Sequence, residues 1–556
     1  MYRASIILCL LFSTVILAGC GKKVIQTKAD ATYVAEQVAK FAPVTIKYDQ
    51  SLLDENETKA LKKIVEAAKY MDEIFLRQVY SKNESIREEL MTSTDPSNKP
   101  YQELFTIMFG PFDRLEGDKP FLNSTPKPLG ANFYPEDMTK EEFNKWLEAH
   151  PEDKESFEQT FTLIRRKAGK LVAVPYSEAY KKWLEPAAKL LREAAELTQN
   201  LSLKKYLNSR ADAFLSNDYY QSDMDWMDLD SQIEVVIGPY EVYEDKLFGY
   251  KAAFEAFVTI VDPAESKKLE IVAQHLNELE NNLPIKDEYK NFSRGASSPV
   301  KVVQEVFSAG DTKAGVQTLA FNLPNDERVR EAKGSKKVML KNIAEAKFNK
   351  IYLPIAEIVL DESMLPLVSF ERWFTHILMH EVTHGLGPGK LTLADGTETT
   401  VQKMLKETYS AIEECKADVG GMYNFAYLCN KGIFPRELEK GIYATYLAGI
   451  FRSVRFGVHE AHGRANLIAF NYLFEKGGYV YHETTGKFSV DDTKIRDAVS
   501  DLLHQILTIQ AEGNYQAAKA MIETYGKMPE IMKKAISKLA HIPVDIRPVF
   551  EVLESL

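Results

Sequence analysis

Helical spacing of apolar residues dominates the first 220 positions of the chain. Leu61, Ile64, Val65 and Ala68 recur three and four residues apart, which predicts the buried face of an amphipathic helix. Similar patterns predict further helices over about 154–168, 177–199 and 203–216. Residues 92–135 are rich in Pro, Gly, Ser and Asn, and they predict a long loop region. The first part of the chain is therefore expected to be mostly helical.

The pattern changes near residue 232, where short apolar runs of strand character begin. These runs cover 233–237, 256–261, 300–307 and 316–321, and a predicted helix over about 264–282 interrupts them. From about residue 340 the helical pattern returns and continues to the end. The predicted helices there cover 400–431, 435–475, 490–511 and 515–540. We therefore predict an α+β protein that is mostly helical and contains a small β-rich unit.

The first twenty residues are typical of a targeting segment. Arg3 supplies the early positive charge and residues 6–17 are apolar, but this run is shorter than the ~20 residues of a membrane-spanning helix. Leu17-Ala18-Gly19-Cys20 is similar to a bacterial lipobox, in which the cysteine is lipidated and becomes the mature N-terminus. A plain signal peptide is the alternative. We expect residues 1–20 to be the signal and Cys20 to tether the protein to the bacterial cell envelope.

Composition and charge exclude some classes of function. The chain has 556 residues, 45% hydrophobic and 27% charged, as in ordinary globular proteins of about two to four structural units. The net charge of −11 argues against a nucleic-acid partner. Cys415 and Cys429 lie in one predicted helix, too far apart along its axis to pair easily, so no disulfide is expected.

One short motif carries metal chemistry. His380-Glu381-Val382-Thr383-His384 reads H-E-x-x-H, and its histidines lie on one helix face, about 6 Å apart along the axis. Both imidazoles can therefore reach one Zn²⁺, while Glu381 lies beside them, where it can take a proton from water. The alternative is a core helix with two hydrogen-bonded histidines. His376 is about 12 Å from His384, too far to share the metal, so we assign it to the core or the outer shell.

A third ligand is expected from Glu413-Glu414-Cys415-Lys416-Ala417-Asp418, about thirty residues later. Either glutamate can serve, and Glu414 is favoured because Asp418 follows one turn later on the same face. Asp418 can accept the N–H of a metal-bound histidine, and Glu413 is a second candidate for that outer role. The alternative is a solvated acidic helix face. The set predicts one Zn²⁺ per chain, although such ligands do not exclude Co²⁺ or Mn²⁺.

These motifs together resemble the dipeptidyl peptidase III family of zinc exopeptidases. The hexapeptide Glu-Glu-Cys-Lys-Ala-Asp is the distinctive part, and the residues between about 230 and 480 carry the rest of the resemblance. The other similar segments are 237–245 (IGPYEVYED) with 254–258 (FEAFV), 322–325 (NLPN), and Ala461-His462. The zinc motif has five residues, as in a minority of the family. The family's late arginine that grips the C-terminal end of the substrate has no clear counterpart, and Arg547 is assigned no such role.

The resemblance implies a fold and a reaction. It implies two lobes around a cleft: a substrate-binding lobe (21–261 plus 301–340) with the β-rich unit, and a helical zinc lobe (262–300 plus 341–556). It implies release of dipeptides from the N-terminus of peptides. Tyr243 and His462 would stabilise the oxyanion, while Glu241, Asn322 and Asn325 would hold the free amine of the substrate. Without the resemblance, four of these residues are better explained by a structural role than by a catalytic one: Tyr243, Asn322, Asn325 and His462.

Two other functions stay open on the sequence. The first is a zinc hydrolase of a non-peptide substrate, since the same metal chemistry would serve it. The second is a lipoprotein that binds peptides and has lost catalysis. The intact Glu381 argues against the second, because a protein that only binds needs no general base.

Overall fold

A computed structural model describes residues 24–292, 299–393, 395–458 and 461–556. The α-helices are α1 (Ala31–Ala39), α2 (Glu55–Val79), α3 (Asn83–Met91), α4 (Lys99–Met108), α5 (Lys140–Ala149), α6 (Lys154–Glu158), α7 (Tyr176–Ala179), α8 (Lys181–Leu197), α9 (Leu201–Ser216), α10 (Tyr220–Met227), α11 (Pro263–Gln274), α12 (Leu276–Asn282), α13 (Glu327–Lys333), α14 (Lys341–Lys347), α15 (Leu353–Val359), α16 (Phe370–His384), α17 (Val401–Leu405), α18 (Tyr409–Asn430), α19 (Glu439–Ser453), α20 (Ala461–Glu475), α21 (Ile495–Ala511), α22 (Tyr515–Tyr525) and α23 (Glu530–Ser537). The strands are β1 (Phe41–Ile46), β2 (Phe112–Asp113), β3 (Lys119–Pro120), β4 (Thr162–Lys167), β5 (Lys170–Pro175), β6 (Ile233–Pro239), β7 (Phe254–Val261), β8 (Val300–Gly310), β9 (Ala320–Leu323), β10 (Lys336–Leu340), β11 (Lys390–Thr392), β12 (Glu398–Thr400), β13 (Tyr479–His482), β14 (Lys487–Val490) and β15 (Asp545–Phe550). The predicted class, α+β and mostly helical, is confirmed.

The β-rich unit is a five-stranded sheet in the order β6-β7-β8-β10-β9. Most neighbours are antiparallel, and β10 runs parallel to β8. The long helix α2 packs across β7 and β8 with its apolar face, which includes Leu61, Ile64 and Val65, and Asp54 closes its first turn in a capping box with Glu57. The strand β9 lies at the edge of the sheet and pairs only with β10 among the described residues.

A helical bundle carries the histidine motif. The helix α16 lies along α18, which also packs against α20 and α21. Two glycines allow this close approach, since a Cβ atom added to Gly420 would lie 2.6 Å from Thr383 Cγ2, and one added to Gly421 would lie 3.1 Å from the backbone nitrogen of His380. The crossing therefore brings the second half of α16 against the first half of α18, where the predicted ligands are. Cys415 and Cys429 are buried and free.

The structure corrects three of the predicted elements. The helix predicted over 154–168 is wrong beyond Glu158, because the segment turns into the hairpin β4–β5. Ala168 and Gly169 both have positive φ at its tip, as a tight hairpin turn requires. The strand predicted over 316–321 begins only at Ala320. The loop region predicted over 92–135 contains α4.

The chain is also not helical to its end. The hairpin β13–β14 follows α20, and the last strand, β15, pairs in parallel with β1 across most of the sequence. The lobe boundaries expected above stay a prediction, although this pairing ties the last residues to the N-terminal segment. The signal segment and Cys20 lie outside the described residues. None of the helices in the described ranges is long and apolar enough to cross a membrane.

Candidate metal centre and active site

His380, His384 and Glu414 converge at the crossing of α16 and α18. The Nε2 atoms of the two histidines are 3.1 Å apart, and Glu414 Oε2 lies 3.3 Å from His380 Nε2 and 3.8 Å from His384 Nε2. Two ligands of one tetrahedral zinc, each at ~2.1 Å from the metal, are expected to be about 3.4 Å apart. The spacing of these three atoms therefore suits one tetrahedral ion.

The donor set also fits such an ion. Glu414 Oε2 is buried, and three imidazoles, those of His380, His384 and His462, lie within 3.8 Å of it. Burial acts to raise the pKa of Glu414, but hydrogen bonds from His380 and His462 outweigh it and hold the pKa far below its usual range. Two imidazole nitrogens and one ionised carboxylate are a common zinc ligand set with one coordination position left open.

Two carboxylates orient the histidines. Asp418 Oδ1 lies 2.7 Å from His380 Nδ1, and Glu413 Oε1 lies 2.8 Å from His384 Nδ1. Each Nδ1–H therefore donates to a carboxylate, which leaves the Nε2 lone pairs directed at the candidate metal position. Burial acts to lower the pKa of His380, but Asp418 outweighs it and raises the pKa to about 10 in the absence of a metal.

The two orienting carboxylates are themselves held by hydrogen bonds. Tyr446 and Asn466 donate to Asp418 Oδ2 at 3.3 and 3.2 Å. Gln510 donates to Glu413 Oε2 at 2.7 Å, and Lys416 lies 2.8 Å from Glu413 Oε1. His376 is buried and its Nε2–H donates to the backbone oxygen of Asp418 at 2.9 Å. His376 thus lies in the outer shell, outside the group of three ligand atoms.

Glu381 lies beside the metal position and contacts the β-sheet. Lys337 on β10 donates to Glu381 Oε2 at 2.8 Å and to the Glu381 backbone oxygen at 3.3 Å. Burial acts to raise the pKa of Glu381, but Lys337 outweighs it and lowers the pKa. Glu381 is therefore ionised at neutral pH, which is the state that a general base needs.

His462 is brought to the same centre by α20. Its Nδ1 lies 3.1 Å from Glu414 Oε2, and its side chain is 64% exposed. The hydrogen bond to Glu414 raises the pKa of His462. Four residues later on the same helix, Asn466 also donates to the His462 backbone oxygen at 2.9 Å. The predicted additional histidine therefore lies next to Glu414, and most of its side chain is exposed.

Two of the three predicted amine-binding residues, Glu241 and Asn325, lie together. Glu241 and Asn325 are hydrogen-bonded to each other, and Asn325 also donates to the Tyr240 backbone oxygen at 3.1 Å. Burial raises the pKa of Glu241. Asn322 is exposed on β9 directly opposite Lys337, so the two residues share the face of the sheet that is turned to Glu381.

The structure does not bring Tyr243 to the metal centre. Tyr243 is 77% exposed and lines a cavity of about 1110 Å³ with Glu241 and Asn325. Glu381 lines two other cavities, of about 1150 and 790 Å³, and neither contains Tyr243. Tyr243 and Glu381 therefore line different cavities in this structure.

Several residues at the centre carried little or no signal in the sequence. Lys416 lies inside the distinctive hexapeptide, and Asn466 follows His462 by one helical turn, so both had a local signal. Tyr446 and Gln510 had no signal, because they lie on α19 and α21, outside the motifs that predicted the site. Lys337 had none either, because it sits on a strand that only the tertiary fold brings to α16.

The chain is similar to several known proteins. The sequence profile of Peptidase family M49 matches residues 137–398. Among solved structures, DPP III from Caldithrix abyssi is 62% identical, with a TM-score of 0.91 over 93% of this chain and 99% of that one. Dipeptidyl-peptidase III from Corallococcus sp. strain EGB is 45% identical, with a TM-score of 0.79 over 95% and 99%.

Two curated relatives extend the comparison. Nudix hydrolase 3 of Arabidopsis thaliana is 40% identical over 96% of this chain and 76% of its own length. Dipeptidyl peptidase 3 of Homo sapiens is 24% identical over 64% of this chain. The match spans 54% of the human protein, about half of its length.

Proposed function

This chain belongs to Peptidase family M49 and is a peptidase, and from that premise we propose that it is a zinc-dependent exopeptidase that releases dipeptides from the N-terminus of peptides. The single observation that carries the zinc part is the convergence of His380 Nε2, His384 Nε2 and Glu414 Oε2 within 4.8 Å of one another. The orientation of both histidines by Asp418 and Glu413 supports it.

These three residues would hold one Zn²⁺, with a coordination position left for water or substrate. When bound there, the ion supplies Lewis acidity, which polarises a peptide carbonyl and makes water a better nucleophile at neutral pH. Glu381 takes the proton from the attacking water on its carboxylate and passes it to the leaving amine. Lys337 occupies one side of Glu381 Oε2, so it fixes the carboxylate while the proton moves.

The edge strand β9 offers a place for the peptide main chain. Leu319 and Ala320 line the same cavity as His380 and Glu381, and the outer edge of β9 has no partner strand among the described residues. An extended peptide that pairs with this edge adds a strand to the sheet and passes in front of the metal centre. The backbone thereby gives affinity without fixing the peptide sequence.

The N-terminal end of the peptide is assigned to the cluster around Glu241. A free amine is positively charged, and Glu241 with Asn322 and Asn325 offers one carboxylate and two amide oxygens to it. Because the amine is held at a fixed distance from the metal, the peptide bond after the second residue is the one that is cleaved. Closure of the lobes brings Tyr243 and His462 to opposite sides of the substrate, where each donor to the oxyanion is typically worth about 3 kcal/mol.

We also propose that the protein is held at the bacterial cell envelope by lipid on Cys20. Leu17-Ala18-Gly19-Cys20 supports this. Shortly after it, the backbone N–H groups of Val24 and Ile25 donate to Glu89 Oε2 at 2.6 and 3.1 Å, so this part of the chain is attached to α3. Labelling of cells with a fatty acid tests the proposal. The wild-type protein is expected to take up label and to fractionate with membranes, and Cys20→Ala is expected to do neither.

The function is tested with dipeptidyl-arylamide substrates and a metal assay on the same purified sample. We expect one zinc per chain, and release of dipeptides that stops with a chelator and in Glu381→Ala. One zinc per chain without cleavage of any free-amine peptide would point to a hydrolase of non-peptide substrates. Absence of metal after zinc is supplied at neutral pH would overturn the site.

A further inference from the structure

Arg452 lines the cavity of about 790 Å³ that is also lined by His380, Glu381 and His462. It lies near the end of α19 and is partly buried. Its Nε atom is buried without a hydrogen-bond partner, and within the described ranges no carboxylate forms an ion pair with its guanidinium. Leaving a buried donor unpaired costs about 1–3 kcal/mol, and more when the donor is charged.

The other charged groups that line this cavity all have partners of opposite charge. Arg114 pairs with Glu244 at 2.9 Å, Lys347 with Asp545 at 2.9 Å, and Glu381 with Lys337 at 2.8 Å. His380 pairs with Asp418, and His462 with Glu414. Among the described carboxylates, the charge of Asp545 has the largest effect on the pKa of Arg452, but Asp545 already forms an ion pair with Lys347. Among the described residues that line this cavity, Arg452 is therefore the one positive charge without a partner of opposite charge.

The surroundings of Arg452 orient it rather than neutralise it. Its guanidinium carbon lies 5.9 Å from the ring centre of Trp373 and 5.1 Å from that of Phe456, within the range of cation–π contacts. Burial lowers the pKa of Arg452, and the charge of Asp545 offsets part of this effect. Aromatic neighbours that hold a planar guanidinium without pairing with its N–H groups leave those groups for a ligand.

We propose that Arg452 is a specificity-determining residue that binds a carboxylate of the substrate while the scissile bond lies at the metal centre. The guanidinium fork matches the two oxygens of a carboxylate, and a charge-assisted pair of this kind is strongest where water is excluded. The carboxylate comes either from the C-terminus of a short peptide or from an acidic side chain. This proposal rests on the proposed peptidase function, since it names the kind of peptide that the same site prefers.

The test compares peptides of identical sequence that end in a free carboxylate or in an amide. The zinc-loaded full-length protein is expected to favour the acid over the amide by about tenfold or more in kcat/KM, the size of a charge-assisted hydrogen bond. In Arg452→Met this ratio is expected to fall to about one, and in Arg452→Lys, which keeps the charge but not the fork, to an intermediate value. An amide peptide with glutamate near its C-terminus distinguishes the two sources of the carboxylate.

Arg547→Met is the matched control for loss of one positive charge. Arg547 lies on β15, half-exposed, and ion-pairs with Glu103 at 3.6 Å, so this variant is expected to keep the wild-type ratio. Equal rates for acid, amide and glutamate-containing peptides in the wild type, or an unchanged ratio in both Arg452 variants, would overturn the proposal.

A binding measurement separates this proposal from the proposed function. Calorimetry with zinc-loaded Glu381→Gln measures affinity for the same peptides without turnover. If the wild type hydrolyses no peptide, the proposed function is wrong. The carboxylate site is still supported in that case if the acid peptide binds more tightly than the amide peptide and Arg452→Met removes this difference. Equal affinity for acid and amide, or binding of neither, overturns the carboxylate site whatever the hydrolysis assay gives.

Discussion

Lys337 Nζ lies 2.8 Å from Glu381 Oε2, and this ion pair joins the sheet of one lobe to the metal helix of the other. Both side chains are about one-fifth exposed, so the pair is shielded from water without being sealed from it. Lys337 also donates to the Glu381 backbone oxygen at 3.3 Å. The same lysine thus fixes the position of α16 against β10 and the orientation of the carboxylate that is proposed to move the proton.

Removal of Lys337 tests this relationship. Lys337→Met is expected to lower kcat about tenfold, because Glu381 loses the partner that holds its carboxylate, while the zinc content per chain stays at one. Lys337→Arg is expected to recover most of kcat. Lys301→Met is the control. Lys301 lines the cavity of about 1150 Å³ together with Lys337 and Glu381, but it pairs with Glu234. An unchanged kcat in Lys337→Met would show that the pair is only structural.

Substitutions of the proposed metal ligands and of the proposed general base are expected to have different effects on zinc content. Glu381→Gln should keep zinc and lose about 10²–10⁴-fold in kcat, the usual contribution of a general base. His384→Ala and Glu414→Ala should lose both zinc and activity, because two remaining ligands bind the ion poorly. Metal analysis and steady-state kinetics on the same samples measure both effects. Glu371→Gln, in the exposed first turn of the same helix, should change neither.

Asp418 is expected to act through His380. Asp418→Asn should weaken zinc binding about 10–100-fold, since the amide no longer supports the Nδ1–H of the histidine as a carboxylate does. Competition with a chelator of known affinity measures the change. Asp497→Asn, on the surface of α21, serves as the control and should bind zinc as the wild type does. Equal zinc affinity in the two variants would contradict the orienting role.

Glu305 predicts a pH dependence of stability. It is buried on β8, and burial raises its pKa from 4.5 to about 8, against smaller opposite effects of Ser308 and Lys347. The folded protein therefore holds a proton that the unfolded chain releases between these pH values. Its contribution to the free energy of unfolding is fully present below pH 4.5 and is lost as pH rises through about 8, by on the order of a few kcal/mol.

Chemical denaturation across pH tests this. Glu305→Gln removes the titrating group, so its stability should fall less between pH 5 and 8 than that of the wild type. Glu148→Gln, at an exposed position of α5, should keep the wild-type dependence. Parallel stability curves for wild type and Glu305→Gln would exclude Glu305 as the source.

The sequence alone determined those features that depend on local spacing. His380 and His384 lie on one face because residues four apart on a helix always do, and Glu414 and Asp418 follow the same rule on α18. Their prediction as metal ligands follows from imidazole and carboxylate chemistry. The mostly helical class followed in the same way from the periodicity of apolar residues, while the hairpin β4–β5 was missed because its short alternating runs also suit one face of a helix.

Only the tertiary structure decided which distant residues meet. The pairing of β1 with β15, the contact of Lys337 with Glu381 and the unpaired Arg452 beside Trp373 all join segments far apart in sequence. No local pattern encodes such contacts, because they result from how whole elements pack around a common core. The same packing decided that Tyr243 stays apart from the metal centre in this arrangement of the lobes.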